Sequence, residues 1–279
     1  MPINVHFKLL IIIIEFYEYL VCGKLTRYYL TNHDVVMNYI LIIGAKNEVA
    51  KELAKIYAKE RNNLYLAGRN ISKLKDFAND LMKNHNINIG LKELDIEKFN
   101  THPDFYNSLE EKPNGVIIVT GYDPGQKNAM CDWDVAYRSV NVNYAGPMSI
   151  LNIISHDMEN RKKGFIIGVS SVAGDRGRGK NYIYGSSKSA FSAYLSGLRN
   201  RLYKNGVHVL TVKPGYIYSK ISEERNLPRK LTAQPIEIAK DIYKAQQSKK
   251  NIIYTKWFWK YIMFIVKNIP EFIFKRTNI

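Results

Sequence analysis

Tyr39-Ile40-Leu41-Ile42-Ile43-Gly44-Ala45-Lys46-Asn47-Glu48-Val49-Ala50 is the stretch on which the fold turns. Its first five residues are all apolar and stop at Gly44; Val49, Leu53, Ile56 and Tyr57 then recur at helical spacing. A short unbroken apolar run is what a strand buried on both faces looks like, and the later change of period marks the passage into a helix. A strand running through a glycine into a helix opens a βαβ unit.

The same alternation continues outward from this stretch. Predicted strands cover 64–67, 87–94, 115–119, 164–169, 208–213 and 252–254, and predicted helices cover 71–85, 133–159, 183–205 and 236–246. Strands alternating with helices of this length give a parallel sheet with helices on both faces. The expectation is a single α/β domain over 37–255, a Rossmann-type doubly wound sheet, with ligands at the carboxyl ends of the strands near the switch point.

At 279 residues and 46% hydrophobic, the chain suffices for one such domain and is short for two. Cys22 and Cys131 make neither a disulfide framework nor a metal cluster, so a reducing compartment and no structural metal are expected. The net charge of +16 invites a nucleic-acid reading. The lysines are scattered, however, and no zinc knuckle, RNP-like strand or basic recognition helix accompanies them, so no nucleic-acid partner is expected. Anionic surfaces remain open as partners, membrane leaflets and phosphorylated substrates included.

Both ends differ from the middle. Residues 9–14 are apolar, but Glu15 and Glu18 break the run well short of the ~20 residues of a membrane span, and no small-residue cleavage site follows. Residues 1–36 read as a membrane-surface helix, an added helix, or an extension upstream of a start at Met37, the last being favoured. In the tail, 256–279, the run Trp257-Phe258-Trp259-Lys260-Tyr261-Ile262-Met263-Phe264-Ile265-Val266-Lys267 is strongly apolar. At about 100° per residue, Lys256, Lys260 and Lys267 fall within about 40° of one another. An amphipathic aromatic helix of this kind lies on a membrane surface, or else closes a substrate pocket or subunit interface; Pro270 should bend or end it.

The first helix N-terminus, with Gly44, Lys46, Asn47 and Val49 about it, suits a pyrophosphate through its free N–H groups and dipole. Its glycine pattern is degenerate, with Glu48 and Ala50 where further glycines often stand, and it also reads as an ordinary turn. The second strand ends Leu66-Ala67-Gly68-Arg69-Asn70. An NAD site usually has an acidic residue here; a glycine and Arg69 suit a 2′-phosphate, hence NADP(H) over NAD(H), unless Arg69 is simply solvated. Asp95-Ile96 ends the third strand, where a carboxylate can accept from the adenine amino group. Gly121 follows the fourth and permits close approach to the nicotinamide ribose.

The fifth strand leads to Ser171, Tyr184 follows thirteen residues later at a helix start, and Lys188 comes four beyond that. Positions i and i+4 share a helix face, so the Lys188 ammonium can favour the ionised Tyr184 phenol and tune it as a proton donor. Ser171 can hydrogen-bond a substrate oxygen as charge develops there. A Tyr–Lys pair alone is a weak signal in a chain with 20 tyrosines; the whole order of serine, tyrosine, lysine and then Val212-Lys213-Pro214-Gly215 is not.

On these residues the chain resembles the short-chain dehydrogenase/reductase family over roughly 38–255. The resemblance implies that Asn143, in Asn143-Tyr144-Ala145-Gly146, is a fourth catalytic residue that holds a water in a proton relay. It also implies that Tyr184, Lys188, Pro214, Gly215, Ile217 and Ser219 contact the nicotinamide cofactor. The chain departs from the family in its glycine loop and in Val119-Thr120-Gly121, which replaces the usual Asn-Asn-Ala-Gly. A narrower resemblance, carried by Val172-Ala173-Gly174-Asp175-Arg176-Gly177-Arg178 and the aromatic tail, is to the reductase partner of the bacterial decaprenylphosphoryl-ribose epimerase.

That resemblance implies NADPH-dependent reduction of a keto-sugar on a lipid or polyprenyl-phosphate carrier, in cell-surface polysaccharide synthesis, with an oxidase partner and homo-oligomers allowed. Arg176 and Arg178, with Lys180, lie between Ser171 and Tyr184, where they would bind substrate phosphate or form a solvated loop. The location implied is the cytoplasm, peripheral at the inner membrane face. The alternatives are a reductase of another lipid-like ketone and a catalytically silent nucleotide-binding subunit.

Overall fold

The computed structural model describes residues 38–218 and 227–277. The segment 1–36, Met37 and Ser219 lie outside the described residues. The first half runs β1 (Tyr39–Ile43), α1 (Glu48–Lys59), β2 (Asn63–Gly68), α2 (Lys75–His85), β3 (Ile89–Glu93), α3 (His102–Asn107), β4 (Gly115–Ile118), α4 (Gln126–Cys131), α5 (Trp133–Val140) and α6 (Gly146–Arg161). Then come β5 (Phe165–Val169), α7 (Tyr182–Leu202), β6 (His208–Pro214), β7 (Tyr216–Ile217), β8 (Thr232–Ala233), α8 (Pro235–Gln247), β9 (Ile252–Thr255), α9 (Trp259–Asn268) and α10 (Glu271–Phe274).

Seven strands form one parallel sheet in the order β3-β2-β1-β4-β5-β6-β9. This is the α/β Rossmann-type sheet expected from the alternation. Successive side chains of a strand point to opposite faces, and β1 shows the result. Ile40 and Ile42 pack with Leu53, Tyr57 and Ile238 on one face; Leu41 and Ile43 pack with Ile150, Leu151 and Phe191 on the other. A fully buried aliphatic side chain stabilises by roughly 1.5–3 kcal/mol, so two layers on a sheet buried from both sides account for the unbroken apolar strands.

Three features differ from the sequence reading. α3 and α4 are helices of six residues each, too short for periodicity to reveal. The run expected as one helix over 133–159 is broken by a π turn, Asn141–Ala145, where the Gly146 N–H reaches back five residues to the Asn141 carbonyl. Pro147 has no N–H to continue the ordinary ladder, and a widened turn absorbs the defect. The tail helix α9 ends before Pro270, as expected, but one of its faces is not free: Trp259, Met263 and Val266 are buried against Val172, Tyr216 and Leu231. Among the described residues no helix is long and apolar enough to cross a membrane.

Candidate active site

The chain passes from β3, at one edge of the sheet, to β4 on the opposite side of β1, so the crossovers diverge between β1 and β4. A crevice opens at the carboxyl end of strands at such a point. A cavity of about 730 Å³ lies there. Asn47 and Val49 line it from the start of α1, Thr120 and Gly121 from the turn after β4, Ser171 from the turn after β5, Tyr184 and Lys188 from α7, and Pro214 to Ile217 from beyond β6. Of the expected catalytic and cofactor residues, these share one space.

Two adjacent serines end β5, and the pleat assigns them different tasks. The Ser170 hydroxyl donates to the Lys188 carbonyl at 2.9 Å and pairs with Ser192 at 2.7 Å, which fastens the strand end to α7. Among the described residues, the Ser171 hydroxyl oxygen accepts from the Ala173 N–H alone, at 3.1 Å, and caps the short 3-10 turn Val172–Asp175. Tyr184 and Lys188 sit one turn apart on α7, with the Lys188 Nζ 5.9 Å from the Tyr184 ring centroid. The ammonium is buried and donates to the carbonyls of Thr120 at 3.1 Å and Val169 at 3.2 Å. Burial disfavours its charge and pushes the lysine down to about 7.

Asn143, in the π turn, is fully buried. Its Nδ2 donates to the Tyr122 carbonyl at 2.8 Å and to Ser139 Oγ at 3.2 Å, and its Oδ1 accepts from the Tyr122 N–H at 3.0 Å. The side chain thus pins the turn after β4, the turn that supplies Thr120 and Gly121 to the cavity.

The loop between Ser171 and Tyr184 corrects one expectation. Arg176 does not line this cavity. Its Nη1 donates to the carbonyls of Val266, Lys267 and Ile269 at 2.7, 3.2 and 2.6 Å; its Nη2 pairs with Glu271 at 2.8 Å; its guanidinium lies 3.6 Å from the Phe274 ring centroid. The last carbonyls of a helix need donors, and Arg176 supplies them to α9. Asp175 beside it is also structural: it pairs with Lys213 and accepts from the Tyr254 hydroxyl at 2.7 Å; burial first, and then this bond to a carboxylate, raise the phenol above its ordinary range. Arg178 behaves otherwise. It lines the cavity beside Lys180 and Asn181, and its Nε is buried with no hydrogen-bond partner among the described residues.

Trp259 is a cavity residue that the sequence reading missed. A Cβ on Gly215 would stand 2.0 Å from the Trp259 Nε1, so only glycine there admits the indole, which donates to the Leu231 carbonyl at 3.3 Å. Gly215 therefore serves the tail as well as the cavity wall. The tail's apolar pattern was visible in the sequence; its pairing with a glycine 44 residues earlier was not.

Among the described residues, Gly44, Lys46, Arg69, Asp95 and Ile96 do not line this cavity. Gly44 holds φ +87°, and a Cβ there would meet the Val119 carbonyl at 2.8 Å. Asn47 caps α1 by accepting from the Val49 N–H at 2.9 Å, and Lys46 is exposed beside it. Arg69 and Asp95 border a separate groove at the ends of β2 and β3. Arg69 is half-exposed, 3.5 Å from Glu97, whose carboxylate Arg138 also meets at 3.2 Å. Asp95 accepts from the Glu97 N–H at 3.1 Å, and Ile96 is buried. A dinucleotide fits this set: a twelve-residue helix has its N-terminus at the cavity, and Thr120 Oγ1 is buried without a partner among the described residues, beside Lys188.

The short chain dehydrogenase profile matches residues 38–230. The chain belongs to the short-chain dehydrogenase family. Over 240 residues this short-chain dehydrogenase is 28% identical to an uncharacterized oxidoreductase of Mycobacterium tuberculosis, with 85% of this chain and 96% of that one covered. Its fold is that of a short-chain dehydrogenase from Sphingobium yanoikuyae in complex with NADPH, with a TM-score of 0.73, 15% identity, and 84% and 97% of the two chains covered. A 3-oxoacyl-[acyl-carrier protein] reductase from Brucella melitensis with bound NAD gives a TM-score of 0.69 at 18% identity over 78% and 89%. The protein is accordingly an NAD(P)-dependent oxidoreductase.

Proposed function

We propose that this short-chain dehydrogenase reduces a ketone with NADPH, and that the ketone is a keto-sugar on a polyprenyl phosphate or similar lipid carrier in bacterial cell-surface polysaccharide synthesis. The observation that carries the substrate reading is Arg178, a guanidinium with an unpartnered buried Nε in the same cavity as Ser171 and Tyr184. A buried donor without a partner is costly, and a phosphate oxygen is the acceptor that best relieves it. An oxidation elsewhere, by a partner oxidase, would supply the keto form. Action at the inner membrane face, from the cytoplasm, belongs to the same reading.

Residues of this chain then divide the work. Ser171 donates its hydroxyl to the substrate oxygen, where negative charge grows in the transition state. Tyr184 delivers the proton to that oxygen, and the Lys188 ammonium favours the ionised phenol that remains. Asn143 holds the turn behind them. NADPH would lie across the N-terminus of α1, Thr120, Gly121 and Pro214 to Ile217, and supplies the hydride when bound. Arg69 supports NADPH over NADH, since a half-exposed guanidinium at the end of β2 can exchange Glu97 for a 2′-phosphate.

A second reading, reduction of another lipid-like ketone, draws on Tyr216, Leu227 and Trp259, which make part of the cavity wall apolar. NADPH oxidation against keto-sugars, lipid-linked keto-sugars and long-chain keto-acyl compounds separates the two, with and without a candidate oxidase. Turnover of lipid-linked keto-sugar alone is the expected result. Tyr184→Phe should lower that turnover by about 10²–10⁴-fold while keeping NADPH binding; full turnover in the variant would refute the mechanism, and the absence of any turnover in the wild type would favour a silent nucleotide-binding subunit.

A further inference from the structure

Helix α9 has two apolar faces. One is spent on the body of the protein through Trp259, Met263 and Val266. The other carries Tyr261, Phe264 and Ile265, which follow at i, i+3 and i+4 and so share one stripe on the opposite side, and Trp257, in the turn just before the helix, adjoins them through Tyr261. Trp257 is 74%, Phe264 69% and Ile265 65% exposed, and Phe272 on α10 is exposed as well. Trp257 and Tyr261 meet edge to face at 5.8 Å, so the aromatic rings are already arranged relative to each other. Contiguous exposed apolar surface of this kind marks an interaction face.

The charge around the stripe indicates its partner. Residues 256–277 hold five basic side chains, Lys256, Lys260, Lys267, Lys275 and Arg276, against one acid, Glu271, and that acid is neutralised by Arg176. Lys260 and Lys267 project along one flank of the stripe. A second copy of this chain would bring equal positive charges together across a two-fold contact. An anionic lipid surface is complementary to both parts, with headgroups for the lysines and the acyl boundary for the rings.

We propose that α9 and α10 dock this protein onto an anionic lipid bilayer through Trp257, Tyr261, Phe264, Ile265 and Phe272, with Lys260 and Lys267 on the headgroups. The docking face is mounted rather than folded on arrival, because Arg176 caps α9 and holds α10 before any contact is made. Trp259 lines the cavity from the opposite side of the same helix, about one helix diameter of ~10 Å from the lipid-facing stripe. A membrane-held molecule would thus be presented beside the cavity. The proposal stands on the tail alone and does not depend on which ketone is reduced.

Flotation of the full chain with vesicles of phosphatidylcholine, and of phosphatidylcholine with phosphatidylglycerol, tests this directly. Binding to the anionic vesicles, weakened by salt, is expected. Phe264→Glu with Ile265→Glu should lower that binding by about tenfold or more, and Lys260→Glu with Lys267→Glu should remove the preference for the anionic lipid. Both variants should keep the wild-type melting point and NADPH binding, since all four side chains are exposed and distant from the cavity. Trp257 fluorescence should shift to the blue on vesicle addition, and Trp257→Phe should abolish the shift. No binding to either vesicle, or binding untouched by the Phe264/Ile265 substitutions, would overturn the proposal. So would a dimer in sedimentation that those substitutions convert to monomer without any vesicle binding. Self-association unaffected by them would instead belong to the separate apolar groove bordered by Met130, Trp133 and Tyr137, and with anionic-vesicle binding intact it would support the docking face as proposed.

Discussion

Lys188 is a buried ammonium held by two carbonyl dipoles, those of Thr120 and Val169. Its proton is therefore weakly held: about 7 in the folded protein against an ordinary 10.5. Between those values the unfolded chain binds the proton and the native state does not, so this group makes native stability rise with pH across that window. Below about 7 both states are protonated and the full cost of the buried charge is felt. Lys188→Met removes the charge and keeps most of the volume. The variant's stability relative to wild type, from urea midpoints between pH 6 and 10, should be most favourable at the acid end and fall steadily above about pH 7. A difference independent of pH would refute it. At this scale the grouping of Ser171, Tyr184 and Lys188 around one cavity was readable, because it is tied to spacing along one strand and one helix. Arg176 and Arg178 were not distinguishable, being one residue type two positions apart; only carbonyls some 90 residues later decide between them.

Where an element ends depends on what meets it from afar. α9 is ten residues long, and an isolated helix of that length is marginal in water. Trp259 seated on Gly215 fixes its start, and Arg176 fixes its end. Arg176→Ala would leave the carbonyls of Val266 and Ile269 without that donor and Glu271 without its partner. The loss should be about 1–3 kcal/mol of local stability, read as faster hydrogen exchange and protease cleavage over 259–277, with the amides of β1 and β4 unaffected. Protection unchanged in the tail would show that Trp259, Met263 and Val266 hold it without the clamp. The long helices and buried strands were legible in the sequence through their periods, whereas α3, α4 and the π turn at Asn143 were not. Six residues give too little of a helical repeat, and the π turn follows from Pro147 acting on hydrogen bonds rather than from any apolar pattern.

Over the whole molecule, the cavity proposed to take the cofactor is assembled from both halves of the sheet: the N-terminus of α1, the turn after β4, and Pro214 to Ile217 from the end of β6 onward. A ligand bound across these elements ties them together and stabilises the entire fold in proportion to its affinity, by about 2.7 kcal/mol at a hundredfold excess over Kd. The melting point then becomes a measure of cofactor preference that needs no substrate. On the proposed reading NADPH should raise it more than NADH at equal concentration, because only NADPH carries a 2′-phosphate that Arg69 could meet. The ion pair of Arg69 with Glu97 is long and half-exposed, and such pairs contribute about 0–1 kcal/mol, so giving it up for a phosphate costs little. Arg69→Ala should accordingly bring the two shifts together while leaving the NADH shift in place. A larger shift with NADH in the wild type would reverse the assignment of the cofactor and leave the Ser171, Tyr184 and Lys188 geometry untouched.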